Sequence, residues 1–150
     1  MTEPAAERST SARAPIEVVG SFLAALERFD LDAALALLDE HVVYQNVPLP
    51  PARGRAAVER QLRLFARASR SFEVIHHNIA ANGPIVLTER TDIIGLGPVR
   101  GAFWVCGTFE VADGRIVLWR DRFDPIDFGW SFVRGAGRAL LGRGSARITR

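Results

Sequence analysis

The sequence predicts an α+β fold. Three N-terminal helices cover one face of a curved, antiparallel-rich mixed sheet, and the whole forms a cone with an open mouth. Three observations carry this. Helical periodicity is concentrated in the first half of the chain, whereas from residue 71 apolar and polar residues alternate. Turn signals cut that second half into strands, at Asn82-Gly83-Pro84, Gly95-Leu96-Gly97-Pro98 and Asp113-Gly114. The 150 residues are 48% apolar, which suits one domain with its own core.

Residues 1–14 are small and polar and read as a disordered lead-in. Pro15 suits the first position of a helix, where its missing N–H would be unpaired anyway, and Val18, Val19, Phe22, Leu26 and Phe29 follow at helical spacing. Asp30 can cap a second, shorter helix over 31–40. Residues 41–51 look like a strand that stops at Pro48, Pro50 and Pro51. A third helix over 54–69 carries Val58, Leu62 and Phe65 on one side and arginines on the other. Four strands follow, over about 71–80, 84–96, 99–111 and 115–124, and their short connections predict an antiparallel meander. A last helix is expected after Pro125, through Phe128, Trp130, Phe132 and Val133. One domain is therefore assigned to 15–133. Residues 134–150 carry five arginines and no acid and read as a frayed, solvated tail, with a surface-binding tail as the sharper alternative.

Charge and composition exclude several classes. All nineteen basic residues are Arg, against seventeen acids, for a net charge of +2. They are interspersed through most of the chain with no nucleic-acid-binding motif, so no nucleic-acid partner is expected. Cys106 is the single cysteine, so no intrachain disulfide can form, which fits a reducing compartment. No signal peptide and no membrane-spanning segment are read, and a cytoplasmic protein is the default.

A few residues break the apolar pattern. In the strand over 84–96, alternation puts Val86, Thr88, Arg90, Asp92 and Ile94 on one face. In the last strand it groups Val117, Trp119, Asp121 and Phe123, which sets a carboxylate among large apolar side chains on the inward face. An unpaired carboxylate there costs several kcal/mol or more. Arg90 is the partner at hand, and one guanidinium can hold two carboxylates. Tyr44, the only tyrosine, and Asn46 share a face of the first strand. Five polar groups can thus converge at the bottom of the cone. Two readings stay open at this point: a structural network that locks the sheet, or an acid and a base whose protonation is split by sharing one arginine.

Tyr44-Gln45-Asn46, Arg90-Thr91-Asp92 and Trp119-Arg120-Asp121-Arg122-Phe123-Asp124, in this order, resemble the limonene-1,2-epoxide hydrolase family over about residues 15–130. The resemblance implies a cone of the nuclear-transport-factor-2-like (cystatin-like) type, a homodimer, and one-step hydrolysis of a lipophilic epoxide of terpene, sterol or fatty-acid type to a diol, without cofactor or covalent intermediate. It implies Asp121 as general base, Tyr44 and Asn46 as holders of the water, Asp92 as general acid and Arg90 as the bridge between the carboxylates. Alternation and resemblance together nominate Phe22, Leu26, Phe65, Ile94, Phe123 and Phe128 as walls of the substrate pocket.

Other signals carry less. His76 and His77 are adjacent on a strand, so their rings face opposite ways, and no metal site is expected. His41 stands alone, Cys106 has no neighbouring base, and no Gly-x-Ser-x-Gly elbow occurs. Gly95-Leu96-Gly97 is a turn without the helix that a dinucleotide loop needs. Two alternative functions fit the same residues: a ketosteroid-isomerase-like or polyketide-cyclase-like enzyme, with Asp121 as base and Tyr44 and protonated Asp92 as oxyanion donors, and a non-catalytic small-molecule-binding module.

Overall fold

The computed structural model describes residues 13–145. Most of the lead-in, residues 1–12, and the last five residues of the tail lie outside the described residues. The chain order is α1 (Pro15–Glu27), α2 (Leu31–Ala36), β1 (Leu38–Val47), β2 (Ala52–Arg53), α3 (Arg55–Ala68), β3 (Ser71–Asn82), β4 (Ile85–Leu96), β5 (Val99–Ala112), β6 (Arg115–Arg122) and α4 (Pro125–Ser145). The six strands form one sheet in the order β2-β1-β6-β5-β4-β3. The last four make the expected antiparallel meander, and β1 joins it parallel to β6, so the sheet is mixed.

Local chemistry sets the helix starts. Pro15 occupies the first turn of α1, and the Asp30 carboxylate accepts the Ala33 N–H at 3.1 Å to cap α2. The second helix is shorter than its apolar pattern suggests, because the chain is already extended at Leu38. Val18, Val19, Phe22, Leu23 and Leu26 of α1 and Val58 and Leu62 of α3 are buried against the inner face of the sheet. Complete burial of each large apolar side chain stabilises by roughly 1.5–3 kcal/mol. The Glu27 carboxylate accepts the Val74 N–H at 2.7 Å and pins the end of α1 to β3.

Register shifts bend the sheet. One lies in β1 between Leu38 and Val43, one in β3 between His76 and Asn78, and one where β5 meets β6 at Glu110 and Val111. The last corrects the strict alternation read for β6: Ile116 is fully buried and Val117 only partly so, because Val117 is the extra residue. The shift in β3 falls on His77, whose ring meets Thr91 Oγ1 at 2.8 Å.

A fourth helix closes one side of the cone. Phe132 of α4 lies flat over Gly101 of β5, where a Cβ would sit 2.7 Å from the ring, so only glycine permits this approach. The helix continues to Ser145, which corrects the frayed tail read from Arg134 onward. No helix among the described residues is long and apolar enough to cross a membrane.

Candidate active site

Three strands supply the polar groups: β1 gives Tyr44 and Asn46, β4 gives Arg90 and Asp92, and β6 gives Asp121. The register aligns them. Asn46 pairs with Asp121, Asp121 with Gly107, and Gly107 with Thr88, forming one row across four strands. Because Gly107 has no side chain, the guanidinium of Arg90 crosses over β5 and reaches β6.

Arg90 is 1% exposed and holds both carboxylates. Its Nε donates to Asp92 Oδ1 at 2.8 Å and its Nη2 to Asp92 Oδ2 at 3.2 Å. The same Nη2 donates to Asp121 Oδ2 at 2.7 Å, and Nη1 donates to Thr88 Oγ1 at 3.0 Å. The Trp119 indole N–H also donates to Asp121 Oδ2, at 2.9 Å. Asp121 Oδ1 is buried and accepts no hydrogen bond from the protein. Asn46 Nδ2 donates to the Tyr44 hydroxyl at 2.6 Å, and the Tyr44 ring stacks on Trp119 with centroids 3.8 Å apart.

Burial sets the protonation of Asp92. Burial pushes the Asp92 carboxyl up from its usual range to about 6; Arg90 opposes this and the nearby Asp121 charge adds to it. Burial works against the charge of Arg90, but Asp121 and Asp92 outweigh it and raise the guanidinium further, so it stays charged. Burial, and then Asp121, push the Tyr44 phenol up, which keeps it a neutral donor.

All five polar residues face one cavity of about 280 Å³, between α1, α3, α4 and the sheet. Of the six nominated wall residues, Leu26, Phe65, Ile94, Phe123 and Phe128 line it. Phe22 does not. It is fully buried behind the site, edge-on to Trp119 at 4.9 Å, so helical spacing identified a core residue that backs the indole. Leu23, one residue on, faces the cavity.

Sequence reasoning missed the indole donor, the Thr88 acceptor and Gly107. It also missed Phe103 and Val105, two lining residues on β5 that its clean alternation of buried and exposed positions would have supplied. Among the described residues no group of three or more His, Cys, Asp or Glu side chains is arranged to hold a metal ion.

The chain is similar to known proteins. The model of the limonene-1,2-epoxide hydrolase catalytic domain matches residues 13–134. Epoxide hydrolase EphG of Mycobacterium tuberculosis is 47% identical over 117 residues, 78% of this chain and 78% of that protein. A solved M. tuberculosis epoxide hydrolase, described as limonene-1,2-epoxide-hydrolase-like, superposes with a TM-score of 0.80 at 44% identity, covering 85% of this chain and 96% of that one. A putative SnoaL-like polyketide cyclase from Shewanella putrefaciens superposes at 0.74 with 8% identity over 80% of this chain and 96% of its own, and shares the fold alone. With the family's domain spanning nearly all of the cone, and with the Arg90 bridge between two buried carboxylates at its floor, the chain belongs to the limonene-1,2-epoxide hydrolase family.

Proposed function

We propose that the protein adds water to a lipophilic epoxide in one step, giving a vicinal diol. Asp121 acts as general base, Asp92 as general acid and Arg90 as the group that fixes both. The observation that carries this is the single guanidinium holding two carboxylates, one of which, Asp121, keeps an oxygen that accepts no hydrogen bond from the protein. Water is a poor nucleophile and an epoxide leaves as a strongly basic alkoxide. Taking a proton on one side while giving one on the other avoids both high-energy ions.

In this reading the nucleophilic water sits against Asp121 Oδ1, with the Tyr44 hydroxyl and the Asn46 amide beside it, and loses its proton to Asp121 as its oxygen bonds to an epoxide carbon. The carbon–oxygen bond breaks, and the oxygen takes the proton from Asp92. Asp121 then holds a proton and Asp92 lacks one, so a proton passing between them through solvent restores the start without any other reagent. The raised Asp92 carboxyl supports its half of this assignment. The cavity lies at the small end of ligand pockets, roughly 300–1,000 Å³. With its Leu, Ile and Phe walls, it suits a compact terpene-type epoxide or the epoxide-bearing end of a longer sterol or fatty-acid chain.

Single-turnover hydrolysis in ¹⁸O-enriched water checks the mechanism. Label is expected in the diol from the first turnover. Unlabelled oxygen in that first diol means a carboxylate ester formed on the enzyme, and the one-step reading fails.

The working unit in this proposal is a homodimer. Ile75, Leu87 and Trp104 lie about half exposed on the outer face of the sheet, apolar surface that a second copy would cover. Sedimentation velocity at micromolar concentration is expected to give a dimer that Trp104→Arg dissociates; a monomeric wild type overturns it.

A further inference from the structure

The chain is electrically polarised along its length. The first 133 residues carry fourteen arginines against seventeen acids, and the last seventeen carry five arginines and no acid. Four of those five lie beyond residue 134, where the match to the family's domain ends. The family's chemistry therefore does not account for them.

Structure gives this basic segment a second property. The inner side of α4 packs through Phe128 and Phe132, against the cavity and against Gly101. On the opposite side, Ile126, Trp130, Val133, Leu140 and Leu141 fall on one helical face and are each 57–77% exposed. A helix needs only one apolar stripe to pack on a sheet, so the second has no use inside the monomer. Arg134, four residues after Trp130, and Arg138, four residues further on, stand on one flank of the stripe, where Arg134 also donates to Asp127 Oδ1 at 3.1 Å. An exposed apolar stripe with a tryptophan, flanked and followed by arginines, is the pattern of helices that lie in the surface of a bilayer.

We propose that α4 docks on an anionic lipid surface. The apolar stripe would enter the headgroup boundary, the indole of Trp130 would sit at that level, and the arginines would meet lipid phosphates. Charge selects both the surface and the orientation, because the net negative body is repelled from an anionic bilayer while the last seventeen residues are attracted. Phe128 is on the same helix and lines the cavity, so docking brings a cavity wall next to the phase in which a lipophilic substrate concentrates. The surface stands on α4 alone and does not depend on which carboxylate does what.

Cosedimentation of the full chain with vesicles tests it. Binding is expected to equimolar phosphatidylcholine–phosphatidylglycerol vesicles, with a blue shift of tryptophan emission that Trp130→Gln abolishes, and not to phosphatidylcholine alone. Arg138→Gln with Arg143→Gln should lower the partition coefficient about fivefold per arginine. Leu140→Gln with Leu141→Gln should lower it further, with epoxide turnover in vesicle-free buffer unchanged because neither leucine lines the cavity. No binding to the anionic vesicles overturns the proposal, as does binding that the leucine substitutions leave intact. If those substitutions instead dissociate an oligomer and no vesicle binding is seen, the stripe is an interface between copies and the lipid assignment is wrong.

Discussion

Asp121→Asn should abolish measurable turnover, with single-turnover hydrolysis falling by about 10²–10⁴-fold or more while the protein stays folded. The amide keeps an oxygen that can accept from Arg90 and from the Trp119 indole, so the network retains its shape. It loses the capacity to take a proton from water. A second effect adds to the loss. The Asp121 charge is one of the influences holding the Asp92 carboxyl up, and without it Arg90 draws Asp92 toward its ionised form. The acid is therefore weakened together with the base.

Asp92→Asn separates the two contributions. In the wild type the acid must hold its proton, so kcat should be sustained below about pH 6 and fall as pH rises through that value. A bound apolar substrate deepens the burial and moves the fall upward. In Asp92→Asn this alkaline limb should be missing from whatever activity is left, whereas Arg90-dependent folding, followed by thermal melting, should persist. Full activity in Asp121→Asn, or an unchanged alkaline limb in Asp92→Asn, would sink the assignment of base and acid.

The fold was legible where local patterns and tertiary demands agree. The alternation in β4 runs unbroken from Val86 to Asp92, because β5 pairs with it in register throughout and the bulge against β3 puts its extra residue, His77, on β3, and the inward placement of Arg90 and Asp92 follows directly. In β6 the same rule misplaced Val117, since one extra residue flips every side chain before it and nothing in the sequence marks it. The two-residue β2 is too short to carry a period. The length of α4 was hidden by its composition: Gly129, Gly135, Gly137 and Gly142 each weaken helix propensity by about 1 kcal/mol relative to alanine, and apolar residues on both sides blur the moment. Packing of its inner side on β5 overrides that weakness.

The site was legible as an anomaly: charges on an apolar face must be paired, and few partners were available. Which apolar residues line the cavity was less so, because Phe22 and Leu26 share the same helical pattern and only the crossing of α1 over the sheet decides which one backs Trp119 and which one faces the open space. The residue least visible from sequence is the one defined by having no side chain.

Replacing that residue, Gly107→Ala, should cost as much as removing a catalytic group. A Cβ at this position would collide with Arg90 Nη1, lie 2.5 Å from Thr88 Oγ1 and lie 3.0 Å from Asp121 Oδ1. Backbone pairing on both sides holds β5 in place, so the methyl cannot retreat and the guanidinium must give way. Arg90 then loses its reach to Asp121, and an uncompensated buried charge costs about 3–5 kcal/mol. The expected result is a fall in kcat of at least about 100-fold, of the order seen when a positioned catalytic group is displaced, and a lower melting temperature. Because Arg90 and Asp121 both act on the Asp92 carboxyl, the alkaline limb should also move. A purely structural lesion would lower the amount of folded enzyme without moving that limb. Adding Thr88→Ala removes the hydroxyl nearest the new methyl and gives Arg90 room to shift, so the double variant should recover part of both activity and stability. If Gly107→Ala instead turns over epoxide at the wild-type rate with an unchanged pH profile, the guanidinium does not need to cross β5, and the bridge between Asp92 and Asp121 is not what makes the site work.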